Sequence, residues 1–169
     1  MDLYILRHAI AVDRGTPGYD DDSARPLTPE GAKKMRQAVR GMRALALEFD
    51  LILSSPYVRA RQTAEIVAKE LGAQARLEFS VHLEPGGDTE SLVRSLVKRS
   101  SLNSVLLVGH EPYLSGLISI LVTGGGEMGL TLKKGGLVKL GVPMLRLGRC
   151  ASLEWVLTPG QMRMIAEGS

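Results

Sequence analysis

Short apolar runs alternate with amphipathic stretches along this chain, and the runs have the length of strands. Leu3-Tyr4-Ile5-Leu6 is the first. Four apolar residues in a row predict a short buried strand. Asp50-Leu51-Ile52-Leu53-Ser54 predicts a second and Val105-Leu106-Leu107-Val108 the clearest of all. Ala75 to Phe79, Gly136 to Leu140 and Ser152 to Leu157 read as further strands, the last two completing the sheet.

Between these runs the spacing changes to three and four. Ala32, Met35, Val39, Met42 and Ala46 predict an amphipathic helix to about Leu47, opened by Thr28-Pro29-Glu30. Thr suits the cap and Pro the first helical position. Ser55-Pro56 gives the same signal for a second helix through Ala64, Val67 and Ala68 to Leu71, closed by Gly72. Asp88 or Thr89 caps a third helix carrying Leu92, Val93, Leu96 and Val97, and Pro112 opens a fourth to about Val122. Gly124 to Gly129 matches dinucleotide-fingerprint spacing, but it follows a helix where that motif must follow a strand, so it reads as a connection. Residues 10–27 form a long connection holding Gly15, Pro17, Gly18 and Asp20-Asp21-Asp22. Such loops are uncommon and tend to be lids or binding loops. Strands alternating with helices imply a parallel sheet with right-handed crossovers, its strand ends along one edge.

Composition narrows the function classes. At 169 residues, one domain over 1–169 is expected, with no repeat or linker. The net charge of +3 is too small, and the basic residues too scattered, to argue for nucleic acid. No run approaches the length of a membrane span, so no membrane partner is expected. One cysteine, Cys150, excludes an internal disulfide and a thiolate metal cluster. With no secretory signal at the first residues, the expected location is cytoplasmic.

Chemistry enters through the ends of the runs. The first strand stops on Arg7-His8, the Val105–Val108 strand on Gly109-His110, and Arg59 falls in the first turn of the helix after the second. A helix N-terminus presents unpaired N–H groups and suits an anion, although an arginine there is otherwise mildly unfavourable. Two guanidiniums and two imidazoles around one point suit a phosphoryl group. Guanidinium pairs bidentately with phosphate oxygens. One imidazole can attack phosphorus and form a phosphohistidine. The other, if protonated, can stabilise the transferring oxygens. Arg25, at the far end of the long loop, either reaches back to this mouth or is solvated. No Walker loop, Gly-x-Ser-x-Gly elbow or His-Glu-x-x-His is present. The three histidines, His8, His82 and His110, lack tight ligand spacing, so no metal or cofactor is expected.

Four blocks occur in order: Arg7-His8-Ala9; Leu27-Thr28-Pro29-Glu30-Gly31; Ser54-Ser55-Pro56-Tyr57-Val58-Arg59-Ala60-Arg61-Gln62-Thr63-Ala64; and Val108-Gly109-His110-Glu111-Pro112. Together they resemble the histidine phosphatase superfamily, which also contains the phosphoglycerate mutases. The short length, Arg25-Pro26-Leu27-Thr28 and Leu132-Lys133-Lys134-Gly135 resemble its SixA-type phosphohistidine phosphatases. The resemblance implies a three-layer α/β/α fold, phosphoglycerate mutase-like, with a mostly parallel central sheet. It implies His8 as the nucleophile that becomes phosphorylated. Arg7, Arg59 and His110 would form the phosphate pocket, with Arg25 and the backbone N–H of Glu111 as further substrate contacts.

Two departures stand out. Many members have Arg-His-Gly where this chain has Ala9, a change the backbone tolerates. Other members carry an acidic proton donor, for which Glu84, Asp88 and Glu111 are candidates here. Glu84 is the nearest match, beside the reading of a solvated loop carboxylate. SixA-type enzymes manage without a strong acid, because a protonated imidazole is a good leaving group where an alkoxide is not. The expected function is removal of phosphate from phosphohistidine on a protein partner, a phosphotransfer domain, through a phospho-His8 intermediate. The alternatives are a small-molecule phosphomonoesterase or mutase of the same superfamily, or a module that binds phosphoproteins without turnover.

Overall fold

The alternation of side chains along the first strand sets up the layers. In the computed structural model, which describes residues 1–99 and 101–168, strand β1 spans Asp2–Arg7. Leu3 and Ile5 face one apolar core while Tyr4 and Leu6 face another. Strands β2 (Leu51–Ser54) and β4 (Ser104–Gly109) divide in the same way, Ile52, Leu106 and Val108 going with Tyr4. A strand with apolar residues on both faces needs helices on both sides.

Those helices are present. Helices α1 (Pro29–Ala44), α2 (Val58–Glu70) and α5 (Pro159–Glu167) cover the Tyr4 face through Met35, Val39, Met42, Ala64, Val67 and Met162. Helices α3 (Thr89–Val97) and α4 (Tyr113–Thr123) cover the Leu3 face through Leu92, Leu96, Leu114, Leu117 and Ile118. Each large side chain buried this way stabilises the fold by about 1.5–3 kcal/mol. Strand β3 (Leu77–Phe79), β5 (Leu137–Gly141) and β6 (Ser152–Leu157) complete a six-stranded sheet of order β3-β2-β4-β1-β5-β6. Strands β1 to β4 pair in parallel, and β5 is antiparallel to both neighbours. The three-layer, mostly parallel arrangement is the expected one.

This strand order positions the site. The chain leaves β1 toward one edge of the sheet through α1, and leaves β4 toward the other edge through α4. The two strands are neighbours whose following helices lie on opposite faces. Their carboxyl ends therefore flank the crevice in which ligands of such sheets bind. The pairing runs from Asp2 opposite Ser104 to Arg7 opposite Gly109, so His8 and His110 follow side by side.

Three local expectations are corrected. Ser55-Pro56 does not open α2, which begins at Val58 with Tyr57 as its uncapped N-cap. The Ser55 hydroxyl instead meets His110. Residues 10–27 are not wholly irregular: Ala11 bridges Leu27, and Asp22–Ala24 form a short 3-10 turn. The chain also does not end as sheet alone, because α5 follows β6. Thr158 caps it with Gln161 in a reciprocal box, repeating the Thr-Pro signal of Thr28-Pro29.

Candidate active site

His8 stands one residue beyond β1, where its backbone N–H donates to Gly109 across the β1–β4 seam (3.0 Å). Its Nδ1 lies 2.7 Å from its neighbour's carbonyl, Ala9 O. A carbonyl only accepts, so this contact puts the proton on Nδ1 and leaves the Nε2 lone pair uncommitted. Burial, joined by the charges of Arg59, Arg7 and Lys134, pushes His8 from 6.5 down to about 3, against the opposing pull of the Ala9 carbonyl. The ring is therefore neutral near pH 7, as a nucleophile must be.

The His110 ring centre lies 5.1 Å from that of His8. Its Nε2 meets Ser55 Oγ at 2.9 Å, and the same hydroxyl accepts from Tyr57 N–H at 3.3 Å. Tyr57 packs edge-on against His110 with ring centres 5.2 Å apart, and Arg59 lies over the Tyr57 ring at 5.1 Å. Burial, with His8 and Arg59 adding to it, holds His110 at about 3 as well.

Arg7 is anchored by one terminal nitrogen and Arg59 by both. Arg7 Nη1 donates to Leu132 O at 2.8 Å, which ties β1 to the segment before β5. Arg59, only 3% exposed, donates from Nη1 to Asp22 O at 2.6 Å and from Nη2 to Asp22 Oδ2 at 2.9 Å. Thr63 locks the backbone beneath it, donating to Arg59 O at 2.7 Å and accepting from Ala9 N–H at 3.0 Å. Buried polar atoms are paired in the great majority of cases. Among the described residues five buried side-chain atoms are not, and three of these are Arg7 Nε, Arg59 Nε and His110 Nδ1. Two arginine Nε–H groups and one imidazole nitrogen are thus without a partner.

The other sequence candidates lie differently. Arg25 does not present a free guanidinium. It donates from Nε and Nη2 to Asp22 Oδ1 (3.0 and 2.8 Å) and from Nη1 to Val12 O. The Glu84 carboxylate, half-buried after the short turn Val81–Leu83, makes no hydrogen bond or ion pair among the described residues. Asp88 is used as the cap of α3. Glu111 sits between His110 and a cis peptide to Pro112, with its Oε2 accepting from Ser115 at 2.5 Å. His82 is half-buried in the short turn after β3.

The sequence pattern assigns no part in the site to Ser55, Tyr57, Thr63 or Asp22. The first three lie inside a motif block already singled out, so proximity to Arg59 was the available signal. A large cavity of about 710 Å³ lies elsewhere, where α1 and α2 end. It is lined by no imidazole, and its Arg43 and Arg76 donate to the carbonyls of Glu70 and Phe49.

Comparison with known proteins agrees with this fold. A sequence model of the histidine phosphatase superfamily (branch 1) matches residues 3–82. The chain is 36% identical over 143 residues to an uncharacterised protein of Picosynechococcus, covering 83% of this chain and 84% of that one. It is 31% identical over 127 residues to the phosphohistidine phosphatase SixA of Escherichia coli K12, covering 73% and 76%. The solved structure of the protein histidine phosphatase SixA complexed with tungstate superposes with a TM-score of 0.81 at 25% identity. That match covers 95% of this chain and 98% of the other.

Proposed function

This chain belongs to the histidine phosphatase superfamily, and from that membership we propose that it removes phosphate from phosphohistidine on a protein partner. The observation that carries the reading is the pairing of a neutral His8, Nε2 uncommitted, with three unpaired nitrogens on Arg7, Arg59 and His110. In the first step His8 Nε2 bonds to phosphorus as the phosphorus–nitrogen bond of the substrate breaks. The electron pair leaves on the substrate imidazole, already protonated on its other nitrogen or taking a proton as it departs. The two arginine Nε–H groups and His110 Nδ1 hold the oxygens of the transferring group, a role for pre-placed donors. The Nδ1–H bond to Ala9 O supports the positive charge on His8 as the new bond forms. In the second step water attacks phosphorus, releasing phosphate and returning His8 to its neutral form.

Substrate class follows from the leaving group. Asp22, the carboxylate against Arg59, is opposed by burial yet held at about 2 by hydrogen bonds from Arg25 and the charge of Arg59. It carries no proton to give near neutral pH. An imidazole leaves without a strong acid and an alkoxide does not, which favours phosphohistidine over sugar phosphates. The SixA relative from Escherichia coli, a phosphohistidine phosphatase by name, supports the same reading.

The test is a panel of phosphohistidine proteins and phosphate esters, with labelled substrate quenched in alkali, where phosphohistidine survives. Label on His8 that disappears in His8→Ala, with turnover of phosphohistidine well above the esters, is the expected outcome. Faster ester hydrolysis would move the substrate class to phosphomonoesters. Tight binding of the phosphoprotein with no label and no turnover would make the protein a binding module.

A further inference from the structure

We propose that Asp22 is a positioning residue, holding Arg59 by both terminal nitrogens so that the remaining Nε–H is presented to the phosphoryl group. The inference rests on the phosphate-binding reading of the site. It assigns the long loop over residues 10–27 a task that the loop's sequence did not reveal.

The geometry is specific. A guanidinium has five N–H donors in one plane. Residue 22 takes one donor of Nη1 through its carbonyl and one of Nη2 through Oδ2. Two acceptors from one residue fix both the direction and the roll of the plane, as a single hydrogen bond cannot. Nε is left buried and unpaired, on the side of the fork where a bidentate oxyanion approaches. Arg7 has a single anchor of this kind, Leu132 O on Nη1, and also leaves Nε unpaired.

Asp22 is itself braced. Its second oxygen accepts from Arg25 Nε and Nη2 and from Arg14 Nε at 3.1 Å. Asp21 caps the turn, accepting from Ser23 N–H at 2.8 Å. The base of the loop is closed by Val12 N–H to Pro26 O (2.9 Å), and Leu27 N–H donates to Gln62 on α2 (2.7 Å). Arg59 and Gln62 share that helix, so the loop is fastened to α2 at two points. Arg25 therefore acts on the site through Asp22 and not by touching substrate.

A rival reading of the same contacts is that the Asp22 carboxylate competes with phosphate for Arg59. The two readings differ in sign. Binding of inorganic phosphate would be measured by calorimetry on the full chain, its Asp22→Ala and Asp22→Asn variants, Arg59→Ala, and the double variant, each checked for unaltered thermal unfolding. Positioning predicts at least tenfold weaker phosphate binding in Asp22→Ala and a smaller loss in Asp22→Asn, which keeps one acceptor. It also predicts that Asp22→Ala changes binding less than twofold once Arg59 is Ala, because the two act as one unit. Tighter phosphate binding in Asp22→Ala, an unchanged constant, or additive losses in the double variant would each overturn the proposal. Phosphate binding by the unaltered chain without turnover of phosphohistidine would overturn the function and leave this inference standing. No phosphate binding by the unaltered chain would overturn both.

Discussion

Arg59 commits one N–H from each end of its fork to residue 22 and keeps its buried Nε–H unpaired. Arg59→Ala should lower turnover by at least about 10²-fold, the usual consequence of losing one transition-state donor. Arg59→Lys should restore little, because one ammonium cannot span residue 22 and an oxyanion. Steady-state rates on a phosphohistidine protein check both, and a loss under threefold would place Arg59 outside the reaction. Ser55→Ala should cost up to about 10²-fold in turnover by freeing the His110 ring to rotate, the scale of a misplaced reacting group.

The imidazoles also make a stability prediction. Folding lowers both from 6.5 to about 3, so between those pH values the unfolded chain binds more protons than the folded one. Their contribution is complete above pH 6.5 and drains away as pH falls toward 3. Urea titrations between pH 7 and 4 should show stability falling with acid, and a shallower fall in His8→Ala. An equal slope in the variant would mean that His8 is not held neutral by the fold. At this scale the sequence displayed His8, Arg7, Arg59 and His110 because each ends a run or opens a helix. Asp22 was hidden, since a carboxylate in an acidic trio reads as solvated until Arg59 is seen beside it.

Elements were legible where a cap and a period agreed. Thr28-Pro29 announced α1, and Thr28 Oγ1 indeed accepts from Gly31 N–H at 3.0 Å. Ser55-Pro56 carried an identical signal and failed, because its hydroxyl faces a histidine 55 residues further along. Local patterns cannot see a tertiary claim on the capping group. Helix α5 was missed for the opposite reason: Thr158-Pro159 gave the signal, but the short segment after two strands looked like more sheet. Gly31 marks how closely α1 is seated, since a Cβ there would overlap the carbonyl oxygen of Ile10. Gly31→Ala should push the helix from the start of the loop and destabilise the fold by about 1–3 kcal/mol. Chemical denaturation reads that loss, and a variant as stable as the parent would show that the contact relaxes without penalty.

For the whole molecule, the parallel order of strands followed from alternation alone, whereas the antiparallel β5 did not, because no local pattern fixes strand direction. The two cores on either side of the sheet depend on distant parts of the chain meeting. Met162 on α5 is fully buried against the α1 side. Met162→Ala should cost about 2–5 kcal/mol, visible as a lower urea midpoint at unchanged slope. A shift within error would mean that the C-terminal helix is an ornament to the core.

The seam between β1 and β4 separates chemistry from recognition. His8 and His110 are fixed by six residue pairs that zip two neighbouring strands together. The loop over residues 10–27 closes on itself through Val12 and Pro26 and is tied to α2 by Leu27, so it can change length without unzipping that pair. Descendants of this scaffold are free to exchange what that loop reads while the two imidazoles stay where they are.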